Sequence, residues 1–321
     1  MKLVYPLLFV CFLSIQVPAA YSQSATDSAF KEEPIQLSTS TGNIAGTLAM
    51  PAVQNKMPLA LIIAGSGPTD RNGNQPLMTG DCLKLLAHAL ANKGIASVRF
   101  DKRGIGESRK AAVSEAELRF DTYVNDAKDW VELLKKDQRF SKLYIVGHSE
   151  GSLIGILSAA HGADGLISIA GPGQSADKVL VEQLKTQPDA IKNRCYAIID
   201  SLKAGKTVSK VDADLFALFR PSVQPYMINW FQYDPSEHIA KLKIPVLIVQ
   251  GTNDIQVSVD EANRLTKANP QAKLLIIDSM NHVFRIVTGG RSENIAAYRN
   301  AALPISEEMV NGIFSFIMTK E

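Results

Sequence analysis

The chain has 321 residues, 46% of them hydrophobic, enough for one large α/β core with an inserted subdomain or for two small domains. Its 34 basic and 32 acidic residues leave a formal charge of +2, which gives no electrostatic reason to expect a nucleic acid and suits a neutral or modestly polar small molecule. The cysteines lack the clustered Cys/His spacing of a metal site, and no cofactor or metal is expected.

The first segment reads as a targeting sequence. Lys2 precedes an apolar run from Leu3 to Val17, followed by Ala20-Tyr21-Ser22, the layout of a signal peptide cut after Ser22. A retained anchor is the alternative, but the run is short for a span and carries Pro6, Ser14 and Gln16. The mature protein is therefore expected to be exported, periplasmic or secreted, with no stable membrane span. Its remaining cysteines, Cys82 and Cys195, are expected to be buried and unpaired.

Ser24 to Pro34 is polar and reads as a loose arm. Two β-like runs follow, Ile35 to Ser38 and Ile44 to Met50, with Thr41-Gly42-Asn43 as the hairpin turn. Short runs rich in Val, Ile and Leu then recur at 59–64, 96–100, 143–146, 165–170, 246–250 and 274–277, as expected of strands buried on both faces of a parallel sheet. Amphipathic helical patterns lie between them, over Leu83–Asn92 and Tyr123–Leu134, the latter capped by Asp121 or Thr122, and a last one covers Ser306–Met318. This alternation predicts an α/β class protein with a mostly parallel, doubly wound sheet and an N-terminal hairpin. From about Gly173 to Tyr233 only helical segments appear, 176–184, 190–202 and 211–218. The expected organisation is thus a signal peptide at 1–22, a core of 23–172 and 234–321, and a helical cap inserted at 173–233.

Gly147-His148-Ser149-Glu150-Gly151 follows the strand run at 143–146 and opens a helical pattern. That strand–turn–helix setting makes it a nucleophile elbow, in which a strained turn lifts the Ser149 hydroxyl out of the sheet edge at a helix N-terminus. Serine needs a base. Among five histidines, His88 lies mid-helix, His148 is expected to point away from the nucleophile, His161 ends the next helix and His238 sits in a polar stretch. His282, directly after the last strand, remains. The acid should follow the penultimate strand, which selects Asp254 in Gly251-Thr252-Asn253-Asp254 over Asp234 and Asp278. The oxyanion hole should use backbone N–H groups of Glu150 and of the loop Gly65-Ser66-Gly67-Pro68, with Ser66 as the donor and Gly67 as the fallback.

With these residues in view the chain resembles the α/β-hydrolase superfamily, and within it exported bacterial serine hydrolases of the serine-aminopeptidase and dienelactone-hydrolase-like branches. The likeness is carried by Ala64 to Pro68, Asp101-Lys102-Arg103-Gly104-Ile105-Gly106-Glu107-Ser108, Gly147 to Gly151, Gly251 to Asp254 and Asn281-His282. It implies the α/β-hydrolase fold, a Ser149–Asp254–His282 triad and carboxylester hydrolysis, with Asp101 and Arg103 locking a loop. The oxyanion loop departs from the His-Gly-Gly-Gly of many lipases and esterases. Phe216, Phe219, Tyr226, Trp230 and Phe231 offer either pocket walls or cap packing. An aminopeptidase or thioesterase is the alternative, with Asp212, Asp214, Asp234 and Glu237 as candidate holders of a substrate amine. A silent ligand-binding protein on the same fold is a further one.

Overall fold

The computed structural model describes residues 30–52 and 55–319, so the expected signal peptide lies outside the described residues. Eight strands form one sheet: β1 (Phe30–Thr39), β2 (Gly42–Pro51), β3 (Met57–Ile63), β4 (Ala96–Phe100), β5 (Phe140–His148), β6 (Gly165–Ile169), β7 (Val246–Gly251) and β8 (Lys273–Ile277). Their order is β1-β2-β4-β3-β5-β6-β7-β8. All neighbours from β4 to β8 run parallel, and the β1–β2 hairpin adds two antiparallel strands at one edge.

The strand pattern follows from two-sided burial. In β3, Leu59, Leu61 and Ile63 join one apolar cluster and Ala60 and Ile62 the opposite one, the period-two alternation of a pleated sheet covered on both faces. Helices α1 (Cys82–Asn92) and α11 (Glu307–Met318) cover the second face, while α2 (Phe120–Lys135), α3 (Glu150–Ala159), α8 (Pro235–Ile239) and α9 (Val259–Ala268) cover the first. Between β6 and β7 lie α4 (Ala176–Leu184), α5 (Asp189–Lys203), α6 (Phe216–Phe219) and α7 (Gln224–Trp230), before α8. A short helix, α10 (Arg291–Ala297), precedes α11. Among α4 to α7, Cys195, Ile199, Leu202, Phe219 and Phe231 form a third apolar cluster separate from the two sheet faces.

Three expectations need correction. The polar arm is not loose where it is described, because residues 30–34 belong to β1 and pair with 47–51 through the backbone, which needs no apolar periodicity. The hairpin turns on Ser40-Thr41, since Thr39 pairs directly with Gly42. Helix α2 starts at Phe120, so Asp121 and Thr122 sit in its first turn, where Thr122 Oγ1 accepts a hydrogen bond from the Arg119 N–H at 3.3 Å. Cys82 and Cys195 are both buried and free, as expected.

Candidate active site

Ser149 joins β5 to α3 with φ +55° and ψ −121°, a backbone region that L-residues avoid and that costs on the order of 1–3 kcal/mol. The glycines around it exist for close approach. A Cβ on Gly147 would lie 2.6 Å from Ser152 Cα, and one on Gly151 would lie 2.7 Å from the Ala64 carbonyl oxygen. Nothing larger than hydrogen fits where strand, turn and helix meet β3.

The sheet order places the other residues beside it. Parallel strands deliver their carboxyl ends to the same edge, and β5, β6, β7 and β8 are consecutive neighbours. Asp254 follows β7, and its Oδ2 lies 2.8 Å from His282 Nδ1 in the loop after β8. Asp254 Oδ1 accepts from the backbone N–H groups of Gln256 at 2.8 Å and Val257 at 3.0 Å. Burial pushes this carboxyl up, but the attraction of His282 and the hydrogen bonds outweigh burial and leave it below the usual carboxylate range. The rival acids are placed elsewhere. Asp234 caps α8 by accepting from the Ser236 N–H at 3.0 Å, and exposed Asp278 binds Thr252 Oγ1 at 3.1 Å.

The two loops are bolted together by asparagines. Asn281 Oδ1 accepts from the N–H groups of Val283 and Arg285, and its amide donates to Asn294 Oδ1 at 3.2 Å. Asn294 in turn donates to the Asn253 carbonyl at 2.7 Å, next to Asp254. A Cβ on Gly251 would lie 2.6 Å from the Met280 carbonyl carbon, so β7 and the histidine loop pass at glycine distance.

Ser149, His148 and His282 line one cavity of about 70 Å³ with Gly65, Ser66, Thr69, Gln75, Met78, Cys82, Gln256, Val283 and Tyr298. The Ser149 hydroxyl makes no hydrogen bond among the described residues, and it lines the same cavity as His282. A Cβ on Gly65 would touch Ser149 Cβ at 3.2 Å, which puts the loop after β3 against Ser149. Thr69 Oγ1 and Gln75 Nε2 both donate to the Ser66 carbonyl, at 2.7 and 3.2 Å, holding that peptide by its oxygen. The N–H groups of Ser66, Gly67 and Glu150 have no acceptor among the described residues. Unused donors at a helix N-terminus and in a pinned loop are what a developing oxyanion requires.

His148 differs from expectation. Its ring does not point away from the site but packs against His282, with ring centroids 4.7 Å apart, and its Nε2 lies 3.0 Å from the His282 carbonyl. Burial, aided by repulsion from His282, lowers its pKa to about 3, so it is a neutral donor tethering the base loop. Asp101 and Arg103 do lock the loop after β4: Asp101 holds Arg71 at 2.7 Å and the Glu107 N–H at 2.9 Å, and Arg103 pairs with Asp126.

The aromatic residues of the insertion do not line this cavity. Phe219 and Phe231 sit in the third apolar cluster, Phe216 is 49% exposed, and Trp230 stacks on Phe120 of α2 at 5.9 Å. Tyr226 is buried and donates to Glu150 Oε2 at 3.0 Å. Two further residues, Lys102 and Glu150, form a buried ion pair at 3.3 Å that sequence reasoning missed. The available signal was a glutamate inside the elbow pentapeptide, a charge placed where no solvent reaches.

The folding pattern has many counterparts among solved structures. Est1E from Butyrivibrio proteoclasticus, in its ferulic acid complex, superposes with a TM-score of 0.58 at 18% identity, over 82% of this chain and 96% of that one. The Pyrococcus furiosus esterase Pf2001 gives 0.57 at 16% identity, over 91% of each chain. The α/β hydrolase GrgF from Penicillium gives 0.58 at 17%, over 89% and 98%. The chain has the α/β-hydrolase fold. The family model for serine aminopeptidase, S33, matches residues 79–216. A curated relative, esterase EstD of Thermotoga maritima, is 26% identical over 259 residues, covering 79% of this chain, which spans 60% of the relative's length.

Proposed function

We propose that this α/β-hydrolase cleaves carboxylic esters of short acyl chains through an acyl-enzyme on Ser149. The observation that carries the reading is the convergence on one small cavity of Ser149, His282 oriented by Asp254 at 2.8 Å, and the unused N–H groups of Ser66 and Glu150. His282 takes the Ser149 proton as Oγ attacks the ester carbonyl. The Ser66 and Glu150 amides hold the tetrahedral oxyanion, with Gly67 as the fallback donor, and His282 then protonates the leaving alcohol. Water repeats the sequence on the acyl-enzyme. Asp254 stays ionised and stabilises the imidazolium. The small cavity beside Ser149 suits a short acyl group such as acetyl or propionyl. The names of the similar proteins, esterases among them, agree with this chemistry.

Aminopeptidase action, which the family model's description favours, requires carboxylates to receive a substrate amine. The cavity lining holds no Asp or Glu. Asp212 and Asp214 are bound to Arg194, Asp234 to the end of α8, and Glu237 is exposed on α8. Residues 173–233 act in this reading as a cap, residues 1–22 as a cleaved export signal, and the partner is a small acyl substrate.

The test uses protein lacking residues 1–22, with p-nitrophenyl esters of increasing acyl length beside aminoacyl-p-nitroanilides and acyl thioesters. Turnover falling with chain length, lost by about 10⁶-fold in Ser149→Ala, is expected. Turnover of the anilides or thioesters alone would replace ester hydrolysis with that activity. Silence on all, with no fluorophosphonate labelling of Ser149, would leave a binding protein. N-terminal sequencing of exported material beginning at Gln23 would support the signal, and an intact Met1 would refute it.

A further inference from the structure

We propose that Lys102 is a positioning residue that sets the oxyanion hole, and that Tyr226 of the cap ties that hole to the inserted helices through Glu150. This inference rests on the serine hydrolase reading. It starts from an unusual placement of charge. The Lys102 and Glu150 side chains are each 2% exposed, and taking two such ions out of water costs several kcal/mol unless each is closely paired and hydrogen-bonded. Here each is. Lys102 Nζ donates to the Gly65 carbonyl at 2.6 Å and lies 3.3 Å from Glu150 Oε1, with the Tyr123 ring face 5.0 Å away. Glu150 Oε2 is filled by the Tyr226 hydroxyl at 3.0 Å.

The partners are the two halves of the oxyanion hole. Gly65 C=O is joined to Ser66 N in one peptide plane, so holding that carbonyl from behind aims the Ser66 N–H forward, into the cavity. Glu150 supplies the other N–H from the first residue of α3. One ammonium therefore ties the two donors together from the side away from substrate. It has a second effect, in sign. A carboxylate on the residue that binds the oxyanion opposes the negative charge formed in the transition state, and Lys102 cancels that carboxylate. Tyr226 stands on α7, whose neighbours belong to the cap cluster, so the chain Tyr226–Glu150–Lys102–Gly65 runs from cap to oxyanion loop through buried hydrogen bonds.

The experiment compares wild type, Lys102→Met, the double variant Lys102→Met/Glu150→Gln, and Tyr226→Phe, in the mature protein. Each is measured for kcat and KM on p-nitrophenyl acetate, inhibition by an alkyl boronic acid (which forms a tetrahedral anion on serine) and Tm. Lys102→Met is expected to lower kcat about 100-fold with KM nearly unchanged, and to weaken the boronate in step. The double variant should regain about ten-fold of that loss, because the uncancelled carboxylate is gone. Tyr226→Phe should lower kcat about five-fold. A Tm loss in Lys102→Met with kcat and boronate affinity kept, or a double variant no better than the single one, would overturn the proposal. Fluorophosphonate labelling separates this from failure of the function itself: no labelling of wild type sinks both, whereas equal labelling of wild type and Lys102→Met sinks only the role of Lys102.

Discussion

The rim of the sheet and the helices inserted between β6 and β7, the proposed cap, are built on opposite logic. At the rim, the candidate site sits on backbone: a strained serine, glycines at contact distance, and three asparagines joining the Asp254 loop to the His282 loop. In the cap, position comes from side chains packed on one another around Phe219 and Phe231, with Trp230 and Tyr226 resting on Phe120. Backbone constraints demand particular residues at fixed spacing, whereas packing asks only for volume and polarity. Chemistry should therefore be brittle at the rim and tolerant in the cap.

The sharpest contrast is Asp254→Asn against a cap substitution. Asp254→Asn keeps shape but favours the wrong histidine tautomer, and kcat should fall about 10⁴-fold with little change in Tm. Phe219→Ala should do the reverse, costing about 3–5 kcal/mol of stability by chemical denaturation while kcat on p-nitrophenyl acetate stays within a few-fold. A large kcat loss in Phe219→Ala would show that the cap's core shapes the reacting geometry and would erase the distinction.

The division also accounts for what the sequence disclosed. The candidate site of Ser149, Asp254 and His282 was legible because each follows an apolar strand run and their order along the chain matches the sheet order. Two features of the same rim were not. Lys102 lies in a polar, glycine-rich loop that reads as solvated, and its burial arises only when Gly65, Tyr123 and Glu150, distant in sequence, close around it. His148 was assigned the wrong direction although the alternation of β5 puts it on the face of Tyr144 and Val146, where Met280 and Phe284 beside His282 also pack. In the cap, Phe216 and Phe219 lie three apart on one turn, yet one is exposed and the other fully buried. Nothing local to that turn separates them.

Acid titration probes the rim more gently. The His148 pKa is depressed to about 3 in the folded protein, so the folded state binds fewer protons than the unfolded state between there and about 6.5. Stability from this group is complete above about 6.5 and is lost as pH falls toward 3. His148→Gln, which keeps a donor for the His282 carbonyl, should flatten the dependence of Tm on pH in that window; an unchanged slope would mean that the ring is not held neutral. The smallest effect belongs to the cap surface, where Phe216→Ser should shift stability by no more than about 0.5 kcal/mol by denaturant titration. A larger shift would give that exposed ring a partner.

The hairpin strand β1 has a bearing on how copies of this chain treat one another. An open sheet ends in rows of unpaired amides that invite a second sheet to dock and stack. Here one border presents Lys31, Glu32 and Glu33, all exposed, followed by Pro34, which has no N–H to offer. The opposite border begins with exposed Lys273. Charge and a missing donor make the β1 border a poor template, so crowding should press these molecules together without pairing them through that edge.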